Sequence, residues 1–109
     1  MFNLLKRLLG GGGMDEVREA IGGGAVIVDV RTRAEYRGGH VPGSRNVPID
    51  ELESTLDALP RDVPIVFCCA SGVRSGAASR LAKARGIHAL NGGPWTSVAS
   101  LKSGGVKRP

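Results

Sequence analysis

Aromatic residues and cysteines are scarce in this sequence of 109 residues, which contains two phenylalanines, one tyrosine, one tryptophan and two cysteines. Two adjacent cysteines cannot supply the spaced pairs that hold small secreted domains together. The sequence has no C-x-x-C pair and no histidine at ligand spacing, so we expect no metal site. These absences favour a reduced globular domain with a core of Val, Ile, Leu and Ala.

The sequence also lacks the roughly 20 consecutive apolar residues that a membrane-spanning helix requires. Its first residues, MFNLLKRLLGGGG, are interrupted by Lys6 and Arg7, unlike the apolar region of a secretory signal. We predict that residues 1–13 are a leader and linker and that residues 102–109 are a basic tail. Contact of the leader with a membrane is a less favoured alternative, and a cytoplasmic location is the default expectation.

The formal charge is +5, from fifteen basic and ten acidic residues. Such a balance is compatible with nucleic acid, an anionic membrane or a small anionic substrate, and also with simple solubility. No basic run is interleaved with aromatic residues, and no zinc-finger or RNA-binding signature is present. The sequence therefore argues against nucleic acid as a partner and leaves a small anionic ligand open.

Short apolar runs alternate with helical patterns, which is typical of a parallel α/β sheet covered on both faces. The continuous apolar runs at 25–30 and 64–69 are of the kind found in buried parallel strands. SRNVP and IHAL (87–90) are shorter candidate strands. The predicted helices cover residues 14–21, 32–39, 49–60, 75–86 and 94–101. In such sheets, ligands bind beyond the carboxyl ends of the strands.

The segment FCCASGVRSG, residues 67–76, places both cysteines at the end of an apolar run and directly before a predicted helix. Gly72 can adopt a positive φ, so the loop can curl and direct several N–H groups inward as an anion-binding nest. The helix N-terminus and Arg74 add positive charge, and each of these features favours thiolate over thiol. The loop is therefore a candidate nucleophile site that needs no histidine base.

Two registers are open in this loop, because Arg74 closes a C-x4-R loop counted from Cys69 and a C-x5-R loop counted from Cys68. Cys68 lies inside the apolar run, where a small buried side chain is the ordinary role of a free cysteine. Cys69 is followed at the appropriate spacing by the loop glycine, the arginine and the helix start. This spacing favours Cys69 as the nucleophile, and a disulfide between the two neighbours is a further alternative.

Three motifs, in order, resemble those of the single-domain rhodanese-like sulfurtransferases. DVRTRAEYRGGHVPGSRNVP (29–48) is similar to the first signature of that family, CASGVRS (69–75) to its active-site loop, and NGGPWTSV (91–98) to its closing glycine and tryptophan motif. The resemblance covers residues 14–101, which we predict to be the domain. It implies a three-layer sandwich in which helices cover both faces of a central, mostly parallel sheet.

The resemblance also implies a reaction in which a thiolate takes the outer sulfur of a donor such as thiosulfate. Cys69 would carry this sulfur as a persulfide and deliver it to cyanide or to a thiol, including a protein thiol. The residues expected to bind the substrate and the persulfide are Ala70, Ser71, Gly72, Val73, Arg74 and Ser75. Asp29 and Arg31, which end the neighbouring strand, are expected to support the loop. We expect no cofactor and a monomeric protein.

Two alternatives to sulfur transfer from thiosulfate remain open. A cysteine phosphatase or arsenate reductase would use Cys68, because these related enzymes have the longer loop, although Phe67 stands where many phosphatases place histidine. A persulfide carrier or regulatory binding module would accept sulfur from a partner and turn over little thiosulfate. The neutral residues Ala70 and Ser71, where some thiosulfate-preferring members carry a basic residue, are compatible with the carrier.

Overall fold

Four parallel strands form the sheet of the computed structural model, which describes residues 13–103. The strands are β1 (Val26–Asp29), β2 (Arg45–Asn46), β3 (Ile65–Cys69) and β4 (Ala89–Pro94), in the spatial order β2-β1-β3-β4. Each neighbouring pair is parallel. β1 and β3 are apolar and buried along most of their length, as expected for the centre of a parallel sheet.

Helices connect the strands and cover both faces of the sheet. They are α1 (Gly13–Gly22), α2 (Arg33–Arg37), α3 (Ile49–Thr55), α4 (Val73–Ala84) and α5 (Trp95–Lys102), and a 3-10 turn, Leu56–Ala58, follows α3. The Thr32 hydroxyl accepts the N–H of Glu35, and the Glu35 side chain accepts the N–H of Thr32. This reciprocal capping box explains why a helix as short as α2 begins where it does.

Each face of the sheet has its own apolar core, because alternate strand residues point to opposite sides. On the face covered by α3 and α4, Val28 and Phe67 pack with Leu52, Leu56, Ala78 and Ala82. On the face covered by α1 and α5, the buried residues are Val17, Ile27, Val41, Val66, Cys68 and Val98. The two cores and the three layers confirm the predicted sandwich.

β4 is longer than the IHAL pattern predicts, and it contains an irregularity. The strand continues to Pro94, and the register shifts where Phe67 pairs with Asn91 but Cys68 pairs with Gly93. Gly92 of β4 therefore has no partner between Phe67 and Cys68 of β3, which is the arrangement of a β-bulge. The prediction ended the strand too early because a glycine pair is usually a sign of a turn.

Gly92 is the extra residue of the bulge, and its lack of a side chain is a packing requirement. A Cβ atom at this position would lie 2.7 Å from Val98 Cγ2 and 2.8 Å from Val66 Cγ1. Gly93 follows with a φ of +78°, a conformation that L-residues with a Cβ avoid. The glycine pair thus lets β4 cross closely over the core and turn into α5.

The ends of the chain were predicted to be a leader and a basic tail. Of these segments only Gly13, Lys102 and Ser103 belong to the described residues, and Gly13 and Lys102 are the first residue of α1 and the last of α5. The rest of both segments lies outside the described residues. Within residues 13–103, no helix has the length and apolarity needed to cross a membrane.

Candidate active site

The two cysteines are adjacent in sequence but lie on opposite faces of the sheet. Cys69 belongs to the core on the α3 and α4 side, whereas Cys68 belongs to the core on the α1 and α5 side. Both are fully buried, and neither forms a disulfide. The alternation of a β-strand causes this separation, and it gives the two thiols different surroundings.

The Cys69 sulfur lies inside a loop whose N–H groups point towards it. Its Sγ accepts hydrogen bonds from the N–H of Gly72 at 3.0 Å and from the N–H of Ser75 at 3.4 Å, and it lies 3.3 Å from Ser75 Oγ. Gly72 has a φ of +105°, the positive value that the sequence suggested, and serves as the N-cap residue of α4. The loop and the helix start therefore converge on one sulfur atom.

These contacts give the two thiols different acidities. Burial alone raises the pKa of Cys69, but the hydrogen bonds from Ser75, Gly72 and Ser71 together bring it below the ordinary thiol value. Burial and the nearby Asp29 carboxylate raise the pKa of Cys68 to about 12. Cys69 is thus the thiol that ionises more readily, and Cys68 stays protonated at neutral pH.

Arg74, the arginine of the loop motif, is paired with a carboxylate from another helix. Its Nη1 and Nη2 atoms donate to Glu35 Oε1 at 2.8 Å and Glu35 Oε2 at 3.1 Å. The Arg74 pair and the Thr32 N–H lower the pKa of Glu35 to about 2. The sequence prediction assigned Glu35 no role, although its place in the capping box of α2 fixes the side chain opposite Arg74.

Asp29 and Arg31 form a buried pair at the end of β1. Arg31 Nε lies 2.9 Å from Asp29 Oδ1, and Arg31 Nη2 lies 2.7 Å from Asp29 Oδ2. The same guanidinium donates to the carbonyl of Gly39 at 2.7 Å, and its Cζ lies 4.8 Å from the centre of the Trp95 ring. The structure therefore places Arg31 between β1, the segment after α2 and the first residue of α5.

Asn91, which the sequence prediction left without a role, links the end of β4 to the loop. Its Oδ1 accepts from Ser75 Oγ at 2.7 Å and from the N–H of Gly93 at 2.9 Å, and its Nδ2 donates to the carbonyl of Gly72 at 3.1 Å. The bulge at Gly92 brings this side chain to the loop. The sequence analysis did not single out Asn91, because the motif at residues 91–98 was identified by its glycine pair and its tryptophan.

The remaining loop residues form the outer surface of the site. Ala70 and Ser71 are exposed, and Val73 is 75% exposed. The Val73 N–H donates to Ser71 Oγ at 3.4 Å, which closes the turn before α4. The loop thus presents uncharged side chains outward at Ala70, Ser71 and Val73, and N–H groups inward. In residues 13–103, no three His, Cys, Asp or Glu side chains are grouped so as to hold a metal ion.

Known proteins share this architecture. The family model of the rhodanese-like domain matches residues 13–101. The human "Thiosulfate:glutathione sulfurtransferase" is 34% identical over 88 residues, which cover 67% of this chain and 76% of that protein. The Bacillus subtilis "Uncharacterized protein YqhL" is 36% identical over 72 residues, 63% of this chain, and the match spans only 57% of that protein.

A solved structure agrees with these sequence matches. The crystal structure of a "Rhodanese-like Domain Protein" from Staphylococcus aureus superposes with a TM-score of 0.63 at 31% identity. The superposition covers 69% of this chain and 74% of that chain. The sheet and the helices that cover it are therefore features of a known fold.

Proposed function

The chain belongs to the rhodanese-like domain family, and on this premise we propose that it is a sulfurtransferase whose Cys69 carries sulfane sulfur as a persulfide. One observation carries the proposal. The N–H groups of Gly72 and Ser75 both donate to Cys69 Sγ, at the end of a central strand and the start of a helix. Such an arrangement stabilises an anionic sulfur without a separate base.

The proposed reaction has two displacement steps. The Cys69 thiolate attacks the outer sulfur of a donor such as thiosulfate, a new S–S bond forms, and the S–S bond of the donor breaks as sulfite leaves with the electron pair. An acceptor, which is cyanide in an assay or a thiol in the cell, then attacks the outer sulfur of the persulfide. That second step transfers the sulfur and returns Cys69 as a thiolate.

The loop has a defined part in both steps. Its N–H groups hold the negative charge on sulfur before the attack and after the second displacement. Because Cys69 has no exposed surface, we propose that the loop opens at its exposed residues Ala70 and Ser71 before a donor reaches Sγ. We therefore propose that the opened loop admits only small reagents or a narrow group such as the terminal sulfur of a donor.

A second candidate function is the persulfide carrier, and the pairing of the arginines favours it. Arg74 is held by Glu35 and Arg31 by Asp29, so neither cation is free to attract a dianion such as thiosulfate. A carrier would receive sulfur from the persulfide of a thiol or of a partner protein instead. Both functions use the same Cys69 persulfide and differ in the donor.

The phosphatase or arsenate reductase alternative has little structural support. It requires Cys68 as the nucleophile, but Cys68 is buried on the face of the sheet opposite to the loop, and its pKa is about 12. The N–H groups of the loop bind Cys69 instead. We also propose a cytoplasmic location, because a reducing compartment keeps an exchangeable thiolate from permanent oxidation.

The test combines intact mass spectrometry with thiocyanate formation, for the wild type, Cys68→Ala and Cys69→Ala. After thiosulfate, we expect a mass increase of about 32 Da, one sulfur atom, in the wild type and Cys68→Ala and none in Cys69→Ala. Sulfur loading from a thiol persulfide, without thiocyanate formation from thiosulfate, would favour the carrier. Loss of loading only in Cys68→Ala would overturn the assignment of Cys69.

A further inference from the structure

Asn91 has an orientation that its backbone partners determine. The N–H of Gly93 can only donate, so the atom that it contacts at 2.9 Å must be the amide oxygen of Asn91. The carbonyl of Gly72 can only accept, so the atom 3.1 Å away must be the amide nitrogen. The side chain therefore presents an acceptor, Oδ1, to the hydroxyl of Ser75.

Ser75 lies between two groups that compete for its single hydroxyl proton. Its Oγ is 2.7 Å from Asn91 Oδ1 and 3.3 Å from Cys69 Sγ. Ser75 is fully buried, so water does not supply a substitute partner. A hydroxyl has one proton and can donate to only one of these two atoms at a time.

The ionisation of Cys69 decides which atom receives that proton. When Cys69 is a thiol, its S–H donates to Ser75 Oγ, and the hydroxyl of Ser75 donates to Asn91 Oδ1. When Cys69 is a thiolate, the hydroxyl turns to Sγ, and Asn91 Oδ1 keeps only the N–H of Gly93. Ionising Cys69 therefore breaks the hydrogen bond between Ser75 and Asn91, and that loss opposes ionisation.

We propose that Asn91 is a positioning residue that acts through Ser75: it draws the hydroxyl proton away from Cys69 and so limits the fraction of Cys69 present as thiolate. The inference rests on the proposed function, in which Cys69 is the nucleophile. The effect of Asn91 is therefore to keep the pKa of Cys69 higher than it would be if Ser75 donated freely to Sγ. A thiolate of higher pKa is intrinsically more nucleophilic, and the best attacking thiol has a pKa near the ambient pH.

Other charged groups around Cys69 also act on its ionisation, and the test must keep them constant. Arg74 of α4 interacts electrostatically with Cys69 and is itself paired with Glu35 of α2. The Asp29 carboxylate of β1 interacts electrostatically with Arg74. Asp29 is itself paired with Arg31. On β3, the remaining titratable neighbour is Cys68. Substitutions of Asn91 leave Arg74, Glu35, Asp29 and Arg31 in place, and Cys68 is replaced by alanine in every variant that is compared.

The experiment measures the pKa of Cys69 from the pH dependence of its alkylation by iodoacetamide, in a Cys68→Ala background with one thiol. Asn91→Ala removes the competing acceptor, so the pKa of Cys69 falls by roughly 0.5 to 1, the worth of one hydrogen bond. Asn91→Asp replaces it with a charged acceptor that holds the proton more strongly, so the pKa rises. A carboxylate at position 91 also repels the thiolate directly, so only the part of the rise that disappears in a Ser75→Ala background reports on the hydroxyl.

The control repeats Asn91→Ala in a Ser75→Ala background. Without the hydroxyl, the substitution at position 91 no longer changes the pKa of Cys69, and an equal fall in both backgrounds would overturn the proposal. An unchanged or raised pKa in Asn91→Ala, with thermal unfolding and circular dichroism like the parent, would overturn it too. If Asn91→Ala does not fold, Asn91→Asp is measured in both backgrounds: a rise in the pKa of Cys69 that is smaller in Ser75→Ala supports the proposal, and an equal rise or no rise overturns it.

Alkylation requires no sulfur transfer, so this readout is independent of the proposed function. Absence of a persulfide on every variant, with every donor, would count against the sulfurtransferase alone. A shift of the Cys69 pKa in the expected directions would still assign Asn91 its effect on the thiol. Failure of the proposed sulfur transfer and failure of the proposed role of Asn91 are therefore distinguishable in one set of variants.

Discussion

Arg74 and Glu35 join the first turn of α4 to the first turn of α2 through two parallel hydrogen bonds of 2.8 and 3.1 Å. Both side chains are about one-third exposed. Glu35 contributes to the capping box of α2 at the same time. The loop around Cys69 is thus fixed from outside by a carboxylate that the helix cap has already oriented, and Arg74 ties α4 to α2 through that carboxylate.

Glu35→Gln tests this pair, since glutamine preserves the capping box but removes the charge. The pKa of Glu35 is lowered from 4.5 to about 2 in the folded protein. Its contribution to stability is therefore present above pH 4.5 and is lost as the pH falls towards 2. For side chains this exposed we expect under about 1 kcal/mol.

Urea unfolding at pH 7 and at pH 3 measures this contribution. The wild type should lose more of its free energy of unfolding over that interval than Glu35→Gln does. Glu51→Gln is the matched control, because it breaks the exposed pair with Arg33 and leaves the loop intact. An equal loss of free energy of unfolding between pH 7 and pH 3 in the wild type and in Glu35→Gln would contradict the contribution of the Arg74 pair.

The two thiols should differ in reactivity with pH. Cys69 has a pKa below the ordinary thiol value, whereas that of Cys68 is about 12. In the Cys68→Ala protein, the alkylation rate of Cys69 should therefore increase with pH, with a midpoint below the ordinary pKa of a thiol. The Cys69→Ala protein should react only after addition of denaturant, because Cys68 stays protonated at neutral pH and lies in the core under α1 and α5, away from the loop that covers Cys69. Rapid alkylation of folded Cys69→Ala is the result that this prediction excludes.

Much of the fold followed from the sequence because local patterns and tertiary packing agree. The apolar runs ending at Val30 and Cys69 became the central strands, and Thr32 caps α2 as the pattern indicated. The positive φ of Gly72 was also anticipated from its place before a helix. In each case the signal lies in consecutive residues, which a single sequence displays.

The parts of the site that the sequence did not indicate depend on contacts between distant segments. Glu35 meets Arg74 39 residues further along, and Asn91 meets Ser75 across 16 residues. Neither pairing has a local pattern, because each depends on the register of a strand or the start of a helix. The Gly92 bulge is a similar case, since only the crossing of β4 over Val66 shows why glycine is required.

Gly92→Ala should be destabilising and should also disturb Cys69. The added Cβ would approach Val98 and Val66 to less than 3 Å, and overpacking of this kind costs about 1–3 kcal/mol. The bulge would shift and carry Asn91 away from Ser75. We expect a lower urea midpoint together with an altered pH dependence of Cys69 alkylation.

Gly22→Ala is the control for that substitution. No atom lies within 4 Å of a Cβ at Gly22, and its φ is not in the left-handed region. Placed at the end of α1, this variant should keep the stability of the wild type within about 0.5 kcal/mol, as ordinary surface substitutions do. Equal destabilisation of both variants would show that the loss of glycine, rather than the contact with Val66 and Val98, is responsible.

Asp29→Asn tests the predicted supporting role of the buried pair. Asp29 has no exposed surface and Arg31 only 5%, so the substitution leaves a buried guanidinium without its countercharge. Removing one partner of a buried ion pair costs about 3–5 kcal/mol. The contacts of Arg31 with Gly39 and Trp95 reduce this cost but cannot replace a carboxylate that accepts from two guanidinium nitrogens.

Chemical unfolding of Asp29→Asn and of Glu53→Gln distinguishes this role from general surface electrostatics. Glu53 pairs with Arg85 at 3.3 Å on an exposed surface, where loss of the pair costs at most about 1 kcal/mol. If Asp29 acts only as support, the folded fraction of Asp29→Asn should still acquire sulfur on Cys69. Normal stability with no sulfur loading would instead identify Asp29 as part of the chemistry, because the loop would then be intact but inactive.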